Sequence, residues 1–457
     1  MTTCKPASGI TTGGIRRTVL WLALPVLGEQ LLHSFVALVD TFLAGQISKE
    51  ATAAVGFASY VEWLASMLFA LVATGTTALV ARSIGARNDT EANHFTNQSM
   101  SLSVLSGIGF SALIFLLAPS FARLQDMTGE TYRITVMYLR LDSLALTFTS
   151  LTLVGSAALR GAGDTRTPLK IFALVNVFNA LLSAALVFGV GPFPTMGVLG
   201  IVLGTVAARV LGGLIMIGVL IRRPGPLRLH WSALPLRREI TNRIFRIGLP
   251  AAADGAVMWT GQFLFLMVVA RLGTGETQIA YYAAHMIGVR LEALVYLPAT
   301  AWSIAAATMI GQNLGAEKPV RARRSGQEAA LQCGLLALLV AVGFFFGARL
   351  LFALMHHDTL VHEVGVGPFR ILAWFQPLLA ICIVFTGALR GAGDTRFPLL
   401  INFVGVTLLR LPLAWWLGVV LGWGLYGAWL AMCADFTLRA ALAAARFARG
   451  RWIKVVV

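Results

Sequence analysis

Charge is scarce in this sequence. Only 12% of its 457 residues are Asp, Glu, Lys or Arg, while 57% are hydrophobic and the mean hydropathy is +0.78. A soluble domain carries roughly twice that charged share, so a soluble enzyme or binding module is excluded. Cysteine is scarcer still: there are four, with no metal or disulfide spacing. Cys333, Cys382 and Cys433 fall in apolar runs and read as packing residues. No cluster of metal ligands, nucleophile elbow or paired catalytic motif occurs, so neither a membrane-embedded enzyme nor a resident cofactor is expected. Acid is scarcer than base, 20 residues against 36, for a net charge of +16. The excess base sits in short loops between hydrophobic runs, which speaks for the positive-inside bias and against nucleic acid. Residues 2–14 are polar and have none of the form of a cleavable signal peptide.

Long apolar runs are what the chain does have. Stretches of about 20 residues, each enough to cross a bilayer core, recur along nearly the whole length. Twelve are expected, at roughly 18–43, 53–80, 98–119, 133–158, 168–190 and 197–221, then 245–271, 280–310, 329–354, 368–389, 398–421 and 424–446. The predicted fold class is an all-α polytopic membrane protein. A β-barrel would alternate in short segments instead. The 46 glycines suit closely packed spans.

The chain also repeats itself. ALRGAGDTR at 158–166 returns at 388–396, with Arg160 and Arg390 230 residues apart, and a proline (Pro168, Pro398) opens the run that follows each copy. Glu62 and Glu292 keep that displacement, as do Gly85-Ala86 and Gly315-Ala316. It shortens to 227 where Gly197-x-x-Gly200 meets Gly424-x-x-Gly427. Such self-similarity marks an internal duplication. The expected organisation is an amino-terminal lobe at 1–221, a basic linker at 222–244 and a carboxy-terminal lobe at 245–457. With an even number of spans in each half, the copies are parallel repeats, an arrangement of transporters. The loops richest in Lys and Arg follow alternate spans, and the most basic is 222–246. Both termini and the linker are therefore expected in the cytoplasm. Within the repeated loop, Gly161-Ala162-Gly163 has neither a preceding strand nor a Walker lysine, so nucleotide binding is excluded. The glycines there supply turn dihedrals, the arginines meet headgroups and carbonyl ends, and Asp164 and Asp394 pair with nearby arginines or cap the next helix.

LRGAGDTR followed by x-Pro after the fourth and tenth spans, LVARSIGA at 79–86 and MIGQNLGA at 309–316 resemble the multidrug and toxic compound extrusion (MATE) family. The first span, with Pro25 and VDTFLAG at 39–45, resembles its DinF-type branch. The likeness covers nearly the whole chain. It implies two pseudo-symmetric six-helix bundles about a V-shaped cavity, in a bacterial inner-membrane protein that is a monomer. It also implies export of bulky, hydrophobic or cationic organic compounds in exchange for protons, with sodium as the second choice.

An ionisable residue at membrane depth is a functional hypothesis by default. Asp40 leads, since it ends an apolar stretch of the first span and resembles the aspartate of the family's first helix; low dielectric disfavours the charged form of any carboxyl. Pro25 should kink the same helix. Gln30 and His33 fall near the face of Asp40 by helical spacing, with Glu29 adjacent. Asn176 and Asn179, three apart on the fifth span, point one way. That span has no carboxylate, which argues against a tight sodium site. Asp142, with Tyr138 one turn earlier, could add a second charge to a cavity. In the second half Asp254, His285, Arg290, Glu292, Arg410 and Asp435 are intramembrane candidates. The resemblance to NorM-type relatives implies coupling carboxylates on the seventh and tenth spans; the tenth here has none, so by that resemblance coupling is expected in the amino-terminal half. Aromatics such as Phe35, Trp63, Trp302 and Trp374 could meet organic cations. Two rivals stand beside an antiporter: a channel, and a flippase for lipid-linked precursors of the same superfamily. A flippase would favour central arginines, and the first half offers chiefly Arg209 and Arg140.

Loop charge makes orientation testable. Cysteines placed at Thr195, Thr277 and His357 should react with an impermeant thiol reagent added outside sealed cells, and one at Ser232 should stay protected. Labelling at Ser232 would reverse the arrangement.

Overall fold

The computed structural model describes residues 8–222, 225, 227–230 and 233–455. Residues 2–7 of the polar leader, Arg223, Pro224 and Pro226 of the expected linker, and Ser232 lie outside the described residues. Among those described there is helix and no strand. The helices are α1 Ile15–Ile47, α2 Lys49–Gly85, α3 Asp89–Leu124, α4 Gly129–Ser143, α5 Leu146–Gly161, α6 Arg166–Phe188 and α7 Val198–Arg222 in the first half. The second half has α8 Arg238–Val269, α9 Glu276–Gly315, α10 Pro319–Met355, α11 Thr359–Gly391, α12 Arg396–Val420 and α13 Gly424–Arg449. Eleven are long and apolar enough to span a membrane, and α4 with α5 makes the twelfth span, bent by 48°.

Hydropathy locates the spans and underestimates the helices. α2 runs 37 residues, about 56 Å at 1.5 Å per residue, against a hydrocarbon core of about 30 Å. The segment LVARSIGA therefore lies mostly in helix, with Arg82 on the last turn. Local caps set the ends: Ser48 accepts from the Ala51 N–H (3.1 Å), Asn88 from Glu91 (3.1 Å) and Asp358 from Leu360 (2.9 Å). The bend at Leu144–Ala145 has no proline or glycine. Its cause is lateral: the Ser143 carbonyl accepts from the Ser111 hydroxyl of α3, and Leu144 N–H turns back to Leu141 (3.2 Å) in a tighter bond. In α12, wide π-type turns cover Phe403–Arg410 and Trp415–Val420.

The duplication survives in the backbone. Arg87 and Glu317, 230 apart, both take φ 56°, and Gly163 and Gly393 of the repeated loop take φ 89° and 91°. Gly161 sits against the Thr77 carbonyl of α2, and Gly391 against Ala307 of α9, again 230 on. The loop copies diverge in detail. Asp164 caps, accepting from the N–H of Arg166 (3.1 Å) and Thr167 (3.0 Å), whereas Asp394 pairs with Arg446 (2.8 Å).

Two compact units emerge, one of Leu24–Gly248 and the other of Leu249–Val457 together with the chain up to Ala23. The chain thus leaves each unit inside a helix, α1 or α8, next to Pro25 or Pro250. In the first unit, side chains of α3 bond the backbone of the segment after α7. Asn97 donates to the Arg228 carbonyl (2.9 Å) and accepts from the His230 N–H (2.8 Å); Gln98 donates to Ala233 and Pro235 and accepts from the Arg237 N–H (2.7 Å). Ser101 adds a bond to Leu234 (2.7 Å). In the second unit, Lys318 and Arg321 at the start of α10 donate to the carbonyls of Thr11 (3.1 Å) and Ile10 (3.0 Å).

A side chain at Gly391 would meet Ala307 Cα and O at 2.4 Å, both backbone, while one at Gly161 would meet the Thr77 carbonyl at 2.9 Å. Gly391→Ala should therefore cost about 1–3 kcal/mol of stability by overpacking. Its melting temperature in detergent should fall below that of Gly161→Ala.

Candidate functional site

The first unit brings Asp40, Glu62, Asp142, Asn179 and Arg209 together from five helices. Asp40, on α1, is buried at 9% exposure, and its Oδ2 accepts from the Thr205 hydroxyl of α7 at 3.4 Å. Thr205 in turn accepts from Asn179 Nδ2 of α6 at 3.1 Å. The second oxygen of Asp40, Asn179 Oδ1 and the hydroxyl of Ser183, one turn past Asn179, are buried with no protein partner. Asn176 Nδ2, one turn before, is likewise unpartnered. The charges of Arg209, Glu62 and Asp142 also reach Asp40.

One turn beyond Thr205 on α7, Arg209 holds two carboxylates. It pairs with Asp142 of α4 through Nη1 (2.9 Å) and with Glu62 of α2 through Nη2 (2.7 Å). Asp142 thus faces a span arginine, not a loop arginine or Tyr138, whose ring is buried one turn earlier on α4. Asp40, Glu62 and Asp142 together outnumber the guanidinium among them three to one. Arg209 was legible as a lone arginine in a span, and Glu62 as a lone glutamate; their pairing was not, since they are 147 residues apart.

Gln30 and His33 share no hydrogen bond with this cluster among the described residues. Gln30 is half-buried and its carbonyl accepts from Ser34 (3.1 Å), while His33 is exposed and stacks on Phe172 at 6.5 Å. By helical spacing both lie near the face of Asp40; from Val26 onward the buried residues of α1 are Val26, Glu29, Asp40, Leu43 and Ala44. Pro25 lies within α1, which continues through it. Glu29 pairs with Arg160 of the repeated loop at 2.7 Å, and both are buried. Arg160 is thus turned inward to a carboxylate rather than out to headgroups. Of the aromatics, Trp302 is buried and donates to Gln332 (3.1 Å), which makes it a packing residue, whereas Trp259 and Phe263 stack at 5.9 Å with both rings exposed.

The second unit handles its charges differently. Asp254 accepts from Arg390 and from Asn402 (2.6 Å); Asn402 accepts from Arg439 (3.1 Å); Arg439 and Arg410 both hold Asp435. Every carboxylate in that chain meets a guanidinium. Glu292 lies outside that chain and accepts from Gln376 at 3.3 Å, and His285 accepts from Trp429 at 3.2 Å.

Duplicated sets of membrane spans, each with charge pairs buried inside it, are an arrangement of membrane transporters. Comparison with known proteins makes the family plain. The MatE family model matches residues 25–185 and 250–416, and the chain belongs to that family. A probable multidrug resistance protein NorM of Thermotoga maritima is 31% identical over 97% of this chain and 94% of its own length. An FAD transporter of Shewanella oneidensis is 26% identical over 90% of each. Among solved structures, a MATE in the bent conformation aligns with TM-score 0.90 at 21% identity, covering 98% of this chain and 99% of its own. A MOP superfamily transporter from Pyrococcus furiosus aligns with TM-score 0.89 at 20% identity over 100% of each. The protein is a multi-pass membrane transporter of the MATE family and not an enzyme.

Removing Arg209 would leave two carboxylates facing each other without a cation. Breaking a buried pair costs about 3–5 kcal/mol, so Arg209→Met should lower the melting temperature in detergent sharply. Adding Asp142→Asn to it should recover part of the loss, and non-recovery would show that Arg209 acts through packing alone.

Proposed function

We propose that this transporter is a secondary antiporter that exports hydrophobic or cationic organic compounds in exchange for protons, by alternating access between its amino- and carboxy-terminal lobes. Asp40 carries the coupling. The observation behind this is the partner of its carboxylate, a hydroxyl rather than a guanidinium. A carboxyl removed from bulk water, with no cation of its own and a hydroxyl that can bond either protonation state, is chemically suited to exchange a proton. Asn179 and Thr205 orient it, and Asn176, Asp142 and Tyr138 shape its surroundings; Gln30 and His33 belong to substrate contacts outside that cluster, and Pro25 to the conformational change. The excess of acid over base around Arg209 favours a cationic substrate when Asp40 is ionised. Proton and substrate then compete for one charge. Sodium is the alternative coupling ion, with Asn179 Oδ1 and Asp40 Oδ1 as oxygen ligands. The loop charges favour both termini in the cytoplasm of a bacterial inner membrane, and the chain acting as a monomer.

The multidrug relatives support this reading, as the FAD transporter of Shewanella oneidensis supports bulky aromatic substrates. A flippase for anionic lipid-linked precursors would need free cationic side chains, and Arg209 is already held by Glu62 and Asp142. One proton entering down 100 mV and one pH unit releases about 3.7 kcal/mol, enough for a few hundredfold accumulation.

In proteoliposomes, a pH gradient imposed alone should drive dye movement and a sodium gradient alone should not. Asp40→Asn should keep its fold and bind dye while losing pH-driven transport; Asn176→Ala and Asn179→Ala should weaken it less. Wild-type export by Asp40→Asn would move the search to Asp142 or Glu292.

A further inference from the structure

α1 and α8 share a peculiarity. Each opens a half of the duplication, each crosses between the compact units beside an internal proline, and neither makes extended close backbone contact with another helix. Four residues after each proline stands a buried carboxylate, Glu29 after Pro25 and Asp254 after Pro250. Each pairs with the arginine of the repeated LRGAGDTR loop in its own unit: Glu29 with Arg160 at 2.7 Å, Asp254 with Arg390. The two contacts are copies of one another. They escape a sequence comparison because the prolines and acids are 225 apart, the arginines 230, and the acids differ in length.

A proline removes one rung of the helix ladder, so bending of α1 concentrates near Pro25. Glu29 lies one turn beyond it. Asp40 lies eleven residues further, three turns or about 16 Å along the same side of the helix. No residue between them is buried; Glu29 and Asp40 are the polar points at which this part of α1 meets its unit, on α5 and α7 respectively. The copies differ in how firmly they hold. Asp254 is fully buried with both oxygens bonded, inside the chain that runs on to Asn402 and Arg439. Glu29 has one oxygen bonded and the other unpartnered.

Resting on the antiport reading above, we infer that Glu29 and Arg160 are positioning residues for coupling: their ion pair fixes α1 beyond its proline and so sets where Asp40 stands against Thr205. The pair Asp254–Arg390 is its structural counterpart, tied into a rigid network. The groups that face Asp40 and would register such a shift are Arg209 and Thr205 of α7, Glu62 of α2, Asp142 and Tyr138 of α4.

The test is the pH profile of dye transport in proteoliposomes of the full chain, with wild type, Glu29→Gln, Arg160→Lys and Asp40→Asn side by side. Arg160→Lys keeps the charge and spares the fold if Glu29→Gln does not. The expected result is a folded variant whose pH midpoint moves by at least about half a unit, with KM for dye changed as well. A folded variant with the wild-type midpoint and KM, its rate merely following the folded fraction, overturns the inference. If neither variant folds, the pair is structural and the inference is equally overturned. Asp40→Asn separates the two readings: a wild-type profile there refutes Asp40 coupling itself, whatever the positioning variants do.

Discussion

Burying charge inside a membrane protein is costly, and the pairing of carboxylates with arginines organises both halves of this transporter. A guanidinium can serve two carboxylates at once because its five N–H donors form a planar fork. Arg209 uses that fork to join α7 to α2 and α4, and so brings three helices to within reach of Asp40. In the second half Arg439 divides its fork between one carboxylate, Asp435, and the amide oxygen of Asn402. Where the second half pairs Asp254 and Asp435 with guanidinia, the first leaves Asp40 to a threonine. A duplicated fold has thus diverged in its electrostatics while keeping its backbone.

Much of that backbone was legible in the sequence. Hydropathy gave the spans, and the 230-residue displacement of LRGAGDTR predicted turns that do recur, at Arg87 and Glu317 and at Gly163 and Gly393. Asp164 as a helix cap followed from residue type and position. What stayed hidden was set by contacts between distant residues. The bend after Ser143 depends on a hydroxyl from Ser111, and nothing in the local sequence announces it. The inward turn of Arg160 depends on Glu29, which hydropathy alone reads as an intrusion in an apolar run. The π-type turns of α12 likewise carry no proline at their start.

The candidate site divides along the same line. Asp40, Asn179 and Asp142 could be nominated because a polar residue in an apolar run is conspicuous, and in the folded chain they share one cluster. Gln30 and His33, nominated by helical spacing, are less buried than Glu29 and Asp40 on the same helix. Thr205 escaped notice since threonine in a span is ordinary and bonds its own helix readily.

The segment following α7 holds a consequence of its own. Its peptide groups are spoken for by Asn97, Gln98 and Ser101, amide and hydroxyl side chains lying inward on a membrane helix. A free coil would leave such peptide groups to water, whereas the described residues Arg228, Ala233, Leu234, Pro235 and Arg237 are bonded to a helix of their own unit. An engineer wishing to insert a reporter domain would therefore do better at the exposed turn beside His357 than here.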